Sequence, residues 1–217
     1  MQNKCVLPFI NQDYQLNNPC CLLEDYDSKN DLQELLDDHR NNRQSRFCRE
    51  CYKVEKVGLK SKRQFYNGLY SSYLDLEVRS LKTAVVPVGN KCNLYCVMCN
   101  PHASTSWFKK YNFMGDAHKW GKDDVIKEKI DIDFDSIEHI EFIGGETLRS
   151  DSLWTTLTEL DKSVKFSLQT NGTVELNQKQ IELLNSFENF NICFSIDGYG
   201  KIFEYIRQPA KWDQVSK

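Results

Sequence analysis

Residues 81–99 read LKTAVVPVGNKCNLYCVMC. The opening run, LKTAVVPV, is short and rich in β-branched residues, so it predicts a strand. The loop directly after it carries three thiols, Cys92, Cys96 and Cys99. Working outward, the same strand–loop–helix texture recurs. PHASTSWFKKY predicts a helix, with Ser104 or Thr105 as its cap. IEHIEFIGGE alternates apolar and polar positions and breaks at two glycines, which predicts a second strand and its exit turn. DSLWTTLTELD predicts a short amphipathic helix. VKFSLQTNGT is a third strand ending in a turn. QKQIELLNSF is a third helix, with Ile181, Leu184 and Phe187 along one side, and FNICFSIDG is a fourth strand leading into a helix over 199–207. Strands alternating with helices predict an α/β fold with a parallel sheet and helical crossovers. In such sheets chemistry gathers at the carboxyl ends of the strands. All four polar clusters lie at such ends: CNLYCVMC, GGET, TNGT and SIDG.

Upstream, to about residue 78, the chain is turn-rich and bears most of the remaining cysteines. One helix is predicted there: Asp31 can cap DLQELLDDHR, in which Leu32, Leu35 and Leu36 share a face. Gly58 marks a turn. No repeat or low-complexity linker separates this stretch from the first predicted strand. The expected organisation is therefore a small irregular cysteine-rich module over 1–78 and an α/β core over 79–217.

With 217 residues and a net charge of −3, the balance offers no electrostatic case for nucleic acid or an anionic membrane as partner. No run of about 20 apolar residues is present, so no membrane-spanning helix is expected. MQNKCVLPFINQDYQ does not read as a secretory signal, so a cytoplasmic protein with reduced thiols is expected. Nine cysteines then need an explanation, and eight stand in groups: Cys5, Cys20–Cys21, Cys48 with Cys51, and Cys92 with Cys96 and Cys99. Metal or cluster ligation accounts for them better than disulfides do. The ninth, Cys193 in NFNICFSI, reads as a buried packing residue.

Three thiolates on one loop can bind three irons of a 4Fe–4S cube, which usually takes four. The missing fourth ligand leaves one iron open, as catalytic metal sites keep an open position. With its Cys-x3-Cys-x2-Cys spacing the loop resembles that of the radical S-adenosylmethionine (SAM) superfamily. The resemblance implies a partial βα barrel and a 4Fe–4S cluster on Cys92, Cys96 and Cys99. It also implies SAM as cofactor, cleaved reductively to a 5′-deoxyadenosyl radical, with the protein placing the cofactor and excluding solvent. Gly144, Gly145, Glu146 and Thr147 match the family's GGE motif, where glycines let the backbone approach the methionine amino group. Asn171 is similarly placed to present a polar group to the cofactor. Ser195 and Asp197 in SIDG are implied contacts to ribose or carboxylate, a sequence similar to that of peptide-modifying members. Arg207 is implied to pair with the methionine carboxylate. The position before the third cysteine, usually aromatic and packed on adenine, is Met98 here; its thioether or Tyr95 would fill that role.

The string CRECYKVEKVGLKSKRQFYN, residues 48–67, resembles the signature of SPASM and twitch modules, which bind auxiliary 4Fe–4S clusters. Its order before the core, with CVLPF and Cys20–Cys21 upstream, is similar to that of short twitch-domain radical SAM proteins often seen in phages. This implies auxiliary ligands Cys5, one of Cys20 or Cys21, Cys48 and Cys51, with Glu55, Ser61, Arg63 and Asn67 supporting the site or the fold. A structural four-cysteine zinc is the alternative occupant.

The resemblance further implies a peptide or protein substrate and a reductant such as ferredoxin or flavodoxin. The family's core has six βα units against the four legible here. Either the chain is a fragment or a second chain completes the barrel, and an exposed sheet edge predicts poor stability or no turnover for this chain alone. A non-catalytic iron–sulfur or zinc protein, such as an electron carrier, is the rival reading.

Overall fold

The computed structural model describes residues 3–113 and 132–217, which form two compact units. Of these residues, the first unit comprises 3–85 with 135–137, the second 86–113, 132–134 and 138–217. The first contains α1 (Leu7–Ile10), β1 (Asn11–Asp13), α2 (Leu32–Arg40), α3 (Arg49–Lys56) and α4 (Lys62–Leu69). β2 (Thr83–Pro87) begins in it and ends in the second unit. α1 and α2 pack through Val6, Phe9, Ile10 and Leu36, with Tyr66, Tyr70 and Tyr73 around them. A second small cluster holds Leu35, Phe47 and Cys48. Thus Leu35 and Leu36 both face inward, as the 3.6-residue period requires.

Three expectations for this stretch change. Four helices stand where one was expected, because the short α1, α3 and α4 are held by tertiary contacts and carry little apolar period of their own. Asp31 precedes α2 but makes no capping hydrogen bond; its carboxylate instead accepts from the Asp27 N–H and pairs with Arg46. Asp31 has helical backbone angles (φ −100°, ψ −8°), not the extended ones an N-cap uses, so its carboxylate turns back to Asp27 and not onto the helix's free N–H groups. And β1, of sequence NQD, joins the sheet although it has no alternating apolar signal. Its Asn11 is buried, donating to the Pro19 carbonyl and accepting from the Thr83 hydroxyl at 2.6 Å. Side-chain hydrogen bonds hold a strand that hydrophobic burial could not.

The second unit carries α5 (Thr105–Phe113), β3 (His139–Ile143), α6 (Asp151–Glu159), β4 (Lys165–Thr170), α7 (Gln178–Asn185), β5 (Phe190–Phe194), α8 (Gly200–Ile206) and α9 (Trp212–Val215). The strands lie in the order β1-β2-β3-β4-β5. The registers are parallel, with Asn11 opposite Thr83, Ile140 opposite Phe166, and Leu168 opposite Ile192. The fold is therefore α/β with a five-stranded parallel sheet, as a partial βα barrel requires. Phe166 is wholly buried, stacked on Phe190 and edge-on to Phe142 and Phe187.

Caps follow the sequence here. Ser104 rather than Thr105 caps α5, its hydroxyl accepting from the N–H groups of Ser106 and Trp107. Asn177 and Gln180 form a reciprocal capping box at the start of α7. Because that box is exposed, Asn177→Ala is expected to cost about 1 kcal/mol and Asn177→Gly a few tenths. Thermal unfolding reads the difference, and equal losses in the two variants would deny the capping role.

Strand β5 ends the sheet, and none of its five residues is buried. Cys193 is exposed there, not packed as the sequence suggests. An end strand shares its pleat with one neighbour alone, so an apolar run need not be interior. Phe194, Ile196, Ile202 and Tyr205 are likewise exposed. Of the predicted apolar side, Leu184 is buried on α7 and Phe187 just past its end, while Ile181 is exposed.

Candidate metal centres

The loop after β2 brings Cys92, Cys96 and Cys99 together. Sulfur meets sulfur between Cys96 and Cys99, and Cys92 is close enough to raise the cost of charge on Cys96. The hydrogen bond from the Cys96 thiol pulls Cys99 down to about 6, with Arg207 adding to it. Giving that bond, and losing water, pushes Cys96 up. Burial does the same to Cys92. Donors aim at the sulfurs: the Leu94 N–H lies 3.4 Å from Cys92 Sγ, and Arg207 Nη1 lies 4.0 Å from Cys96 Sγ. Such donors favour the thiolates that metal binding needs.

The loop is tied down carbonyl by carbonyl. Thr105 and Ser106 hydroxyls donate to the Cys92 carbonyl, Ser104 Oγ to that of Leu94, and Trp107 Nε1 to that of Cys96 at 2.7 Å. From the other side, the Tyr95 and Val97 N–H groups donate to the Gln208 and Ile206 carbonyls. Leu94 and Cys96 pack on Phe203 and Ala210 beneath them. The thiols are thus placed by rigid neighbours before any metal arrives.

The ends of β3 and β4 supply a polar rim. A Cβ on Gly144 would overlap the Gly89 carbonyl oxygen, and one on Gly145 would lie 2.7 Å from the Asn90 oxygen. The Gly145 and Glu146 N–H groups bond to the Gly89 and Lys91 carbonyls. The glycines therefore admit the lead-in to the cysteine loop. Glu146 is buried, its carboxylate accepting from Thr170 Oγ1 at 2.7 Å, the Asn171 N–H at 2.6 Å and the Leu148 N–H at 3.3 Å. It fastens the end of β3 to the end of β4. Thr147 donates its hydroxyl to the Gln169 carbonyl. Asn171 donates to Asn93 Oδ1 at 3.1 Å, and Asn93 donates in turn to the Thr173 hydroxyl.

The remaining expected cofactor contacts are partly engaged within the chain. Arg207 Nε and Nη2 both reach Asp197 Oδ2, so these two residues bind each other. Ser195 closes the sheet, its N–H on the Thr170 carbonyl. Tyr95 is already engaged, edge-on to Trp107 with Lys110 over its face at 4.1 Å. Met98 is 55% exposed and free to cover a ligand.

In the first unit, Cys5, Cys20, Cys48 and Cys51 line one pocket with Leu7, Pro8, Leu22, Leu23 and Arg63. Cys21 is not among its walls; it is exposed and 2.9 Å from Lys62 Nζ. Burial pushes Cys5 up to about 12 and raises Cys48 as well. The residues between Glu55 and Asn67 explain how the pocket is built. Glu55 and Arg63 form a buried two-pronged ion pair, at 2.6 and 3.0 Å, and Ser61 donates to the same carboxylate. Although burial opposes it, these donors hold the Glu55 carboxyl below its usual range. Arg63 Nη1 and Asn67 Nδ2 both donate to the Lys4 carbonyl, and Asn67 Oδ1 accepts from the Val6 N–H. The two peptide units flanking Cys5 are thereby clamped.

Among the described residues no three Cys, His, Asp or Glu side chains converge as around a single ion. A cubane does not ask for that, because each thiolate binds a different iron. The thiol loop, with its donors and rigid backing, fits such a group. Side chains that the sequence alone did not single out are Asn93, Trp107, Thr173 and His39. Their signals are ordinary singly, and contact alone reveals them.

No protein-family model matches the chain, and no curated protein matches it. Among solved structures it is similar to the crystal structure of Streptococcus suis SuiB bound to S-adenosylmethionine. The identity is 15% and the TM-score 0.41 over 87% of this chain. The chain spans 34% of the length of that protein. No helix among the described residues is long and apolar enough to cross a membrane.

Proposed function

We propose that the chain is a radical SAM protein that modifies a peptide or protein, with a second iron–sulfur centre in the N-terminal pocket. The observation that carries this reading is the gathering of Cys92, Cys96 and Cys99 at the carboxyl end of β2, beside the rim formed by Gly144–Glu146 and Asn171. Three thiols and no fourth suit a 4Fe–4S cluster with one open iron. When bound, that cluster would supply the electron that splits SAM into methionine and a 5′-deoxyadenosyl radical.

The chain's own part is placement. The Leu94 N–H and Arg207 offset part of what burial costs a thiolate at Cys92 and Cys96. Asn171 and Asn93 form the polar wall nearest the Cys92 end of the loop. Arg207 can exchange Asp197 for an incoming carboxylate without losing an ionic partner. Met98 offers an exposed polarizable surface to adenine. Glu146 holds the ends of β3 and β4 at fixed separation. For the N-terminal pocket the reading favours Cys5, Cys20, Cys48 and Cys51 as ligands, since all four line it and Cys21 does not.

Anaerobic reconstitution tests this. The expected yield is about eight irons per chain, from two four-iron clusters, with the electron paramagnetic resonance of one altered by SAM. Cys96→Ala is expected to leave about four irons and no SAM response. Formation of 5′-deoxyadenosine with SAM and dithionite separates an enzyme from an electron carrier. Zinc without iron in the purified chain would refute the proposal.

A further inference from the structure

Between α3 and α4 the chain turns through Val57, Gly58, Leu59 and Lys60. Gly58 has φ +79°, its N–H on the Glu55 carbonyl at 3.0 Å, and the Leu59 N–H reaches the Val54 carbonyl at 3.2 Å. In this left-handed stop the residue after the glycine commonly packs back on the last helical turn. Here it does not: Val57 and Leu59 are 71% and 64% exposed, and Phe65 of α4 is exposed as well. Lys60 Nζ stands over the Phe65 ring at 5.6 Å and Lys62 Nζ over the Tyr66 ring at 5.5 Å. No acidic residue occurs from 56 to 74, where Lys56, Lys60, Lys62 and Arg63 fall. Glu55 matches Arg63, so three lysines remain as the net charge of residues 55–74 in a chain whose total is −3. The turn is held from behind, because Ser61 caps α4 in a reciprocal box with Gln64 and donates its hydroxyl to the Glu55 carboxylate.

We propose that this turn and the start of α4 form a docking surface for a small acidic electron-carrier protein, which delivers single electrons to the N-terminal thiol pocket. The inference rests on the reading of that pocket as an iron–sulfur centre. Three apolar side chains with lysines among them are complementary to an apolar spot ringed by carboxylates, and the lysines steer such a partner from a distance. A patch of this size suits a brief encounter of the kind electron transfer uses and not a lasting complex. The turn is convex and offers no groove or free strand edge, which an extended peptide needs. Its position names the cargo: Cys51 on α3 and Arg63 on α4 are both walls of the thiol pocket, and Lys62 Nζ lies 2.9 Å from Cys21, the neighbour of the wall residue Cys20. A partner seated there rests on the elements that hold the thiols. One electron leaves the reduced carrier and enters the oxidised cluster, and no bond is made or broken.

The test uses the reconstituted full chain carrying Cys96→Ala as parent, so that its iron is that of the N-terminal pocket, with an acidic flavodoxin as probe. Calorimetry reads binding, and the loss of cluster absorption on mixing with reduced flavodoxin reads electron transfer. K56E/K60E is expected to bind about tenfold more weakly or worse and to slow reduction by a similar factor. V57S/L59S is expected to weaken binding by about tenfold with the salt dependence unchanged. K179E/K201E makes the same change of total charge in the second unit and is expected to move affinity by about twofold at most. Iron at about four per chain in each variant shows that the unit is folded and loaded. Equal affinity in K56E/K60E and the parent, or no binding by a parent that holds its four irons, would overturn the docking surface and leave the pocket reading intact. A cluster that dithionite bleaches but bound flavodoxin does not, or a Glu/Leu-rich peptide that binds where flavodoxin fails to, would overturn the electron carrier as occupant. A parent without iron in the pocket would overturn both readings.

Discussion

Arg63→Met is expected to lower the stability of the N-terminal unit by about 3–5 kcal/mol, since it leaves the Glu55 carboxylate buried without its partner. The side chains of Arg63 and Glu55 are 4% and 7% exposed, so water cannot take over the lost contact. The same change frees the Lys4 carbonyl from one of its two donors, loosening the backbone before Cys5. Two consequences separate the ion pair from mere packing. Adding Glu55→Leu to Arg63→Met is expected to recover part of the loss, because two apolar groups leave no stranded charge. Recovery stays partial because Ser61 loses its acceptor as well. Urea unfolding of the full chain measures both. A loss below about 1 kcal/mol in the single variant would place the pair among ordinary surface bridges and remove it as the anchor of Cys5.

Gly145→Ala is expected to strip iron from the thiol loop while sparing the N-terminal pocket. The new methyl would stand 2.7 Å from the Asn90 oxygen and 2.9 Å from the Lys91 oxygen. These are backbone atoms and cannot rotate aside. Overpacking of this kind costs about 1–3 kcal/mol or more, and relief requires residues 89–91 to move, which carry Cys92. Iron is expected to fall from about eight to about four per chain, and the SAM-dependent change in the spectrum to vanish. Ala at Gly68 has open space around its Cβ and serves as the control that should keep all its iron. Full iron and an undiminished SAM response in Gly145→Ala would show that the close approach is dispensable.

Much of the second unit was legible as pattern. Thr83–Pro87, His139–Ile143, Lys165–Thr170 and Phe190–Phe194 are strands where β-branched or alternating runs predicted them, because a half-buried strand needs that period. The spacing of Cys92, Cys96 and Cys99 needs little tertiary help either, since one loop carries all three. Less was legible where a partner decides. Asp31 fails as a cap because its backbone is helical and its carboxylate is held by the Asp27 N–H and Arg46, and Cys193 is exposed because β5 has no further neighbour. Neither partner nor missing neighbour leaves a local trace.

The α/β class, the grouping of the thiols and the glycine turn after β3 each rest on residues a few positions apart, so the order of amino acids suffices for them. Contacts across long separations needed the folded chain. Folding put Cys20 and not Cys21 in the pocket with Cys5, Cys48 and Cys51. It turned Glu146 into a fastener between two strands, and Arg207 toward both Asp197 and Cys96. It also brought His39 to Cys48. On α2 that histidine occupies an inward position beside leucines, where the helical period predicts burial and nothing else. Hydrogen bonds of side chains depend on direction and distance in space, which no one-dimensional period encodes.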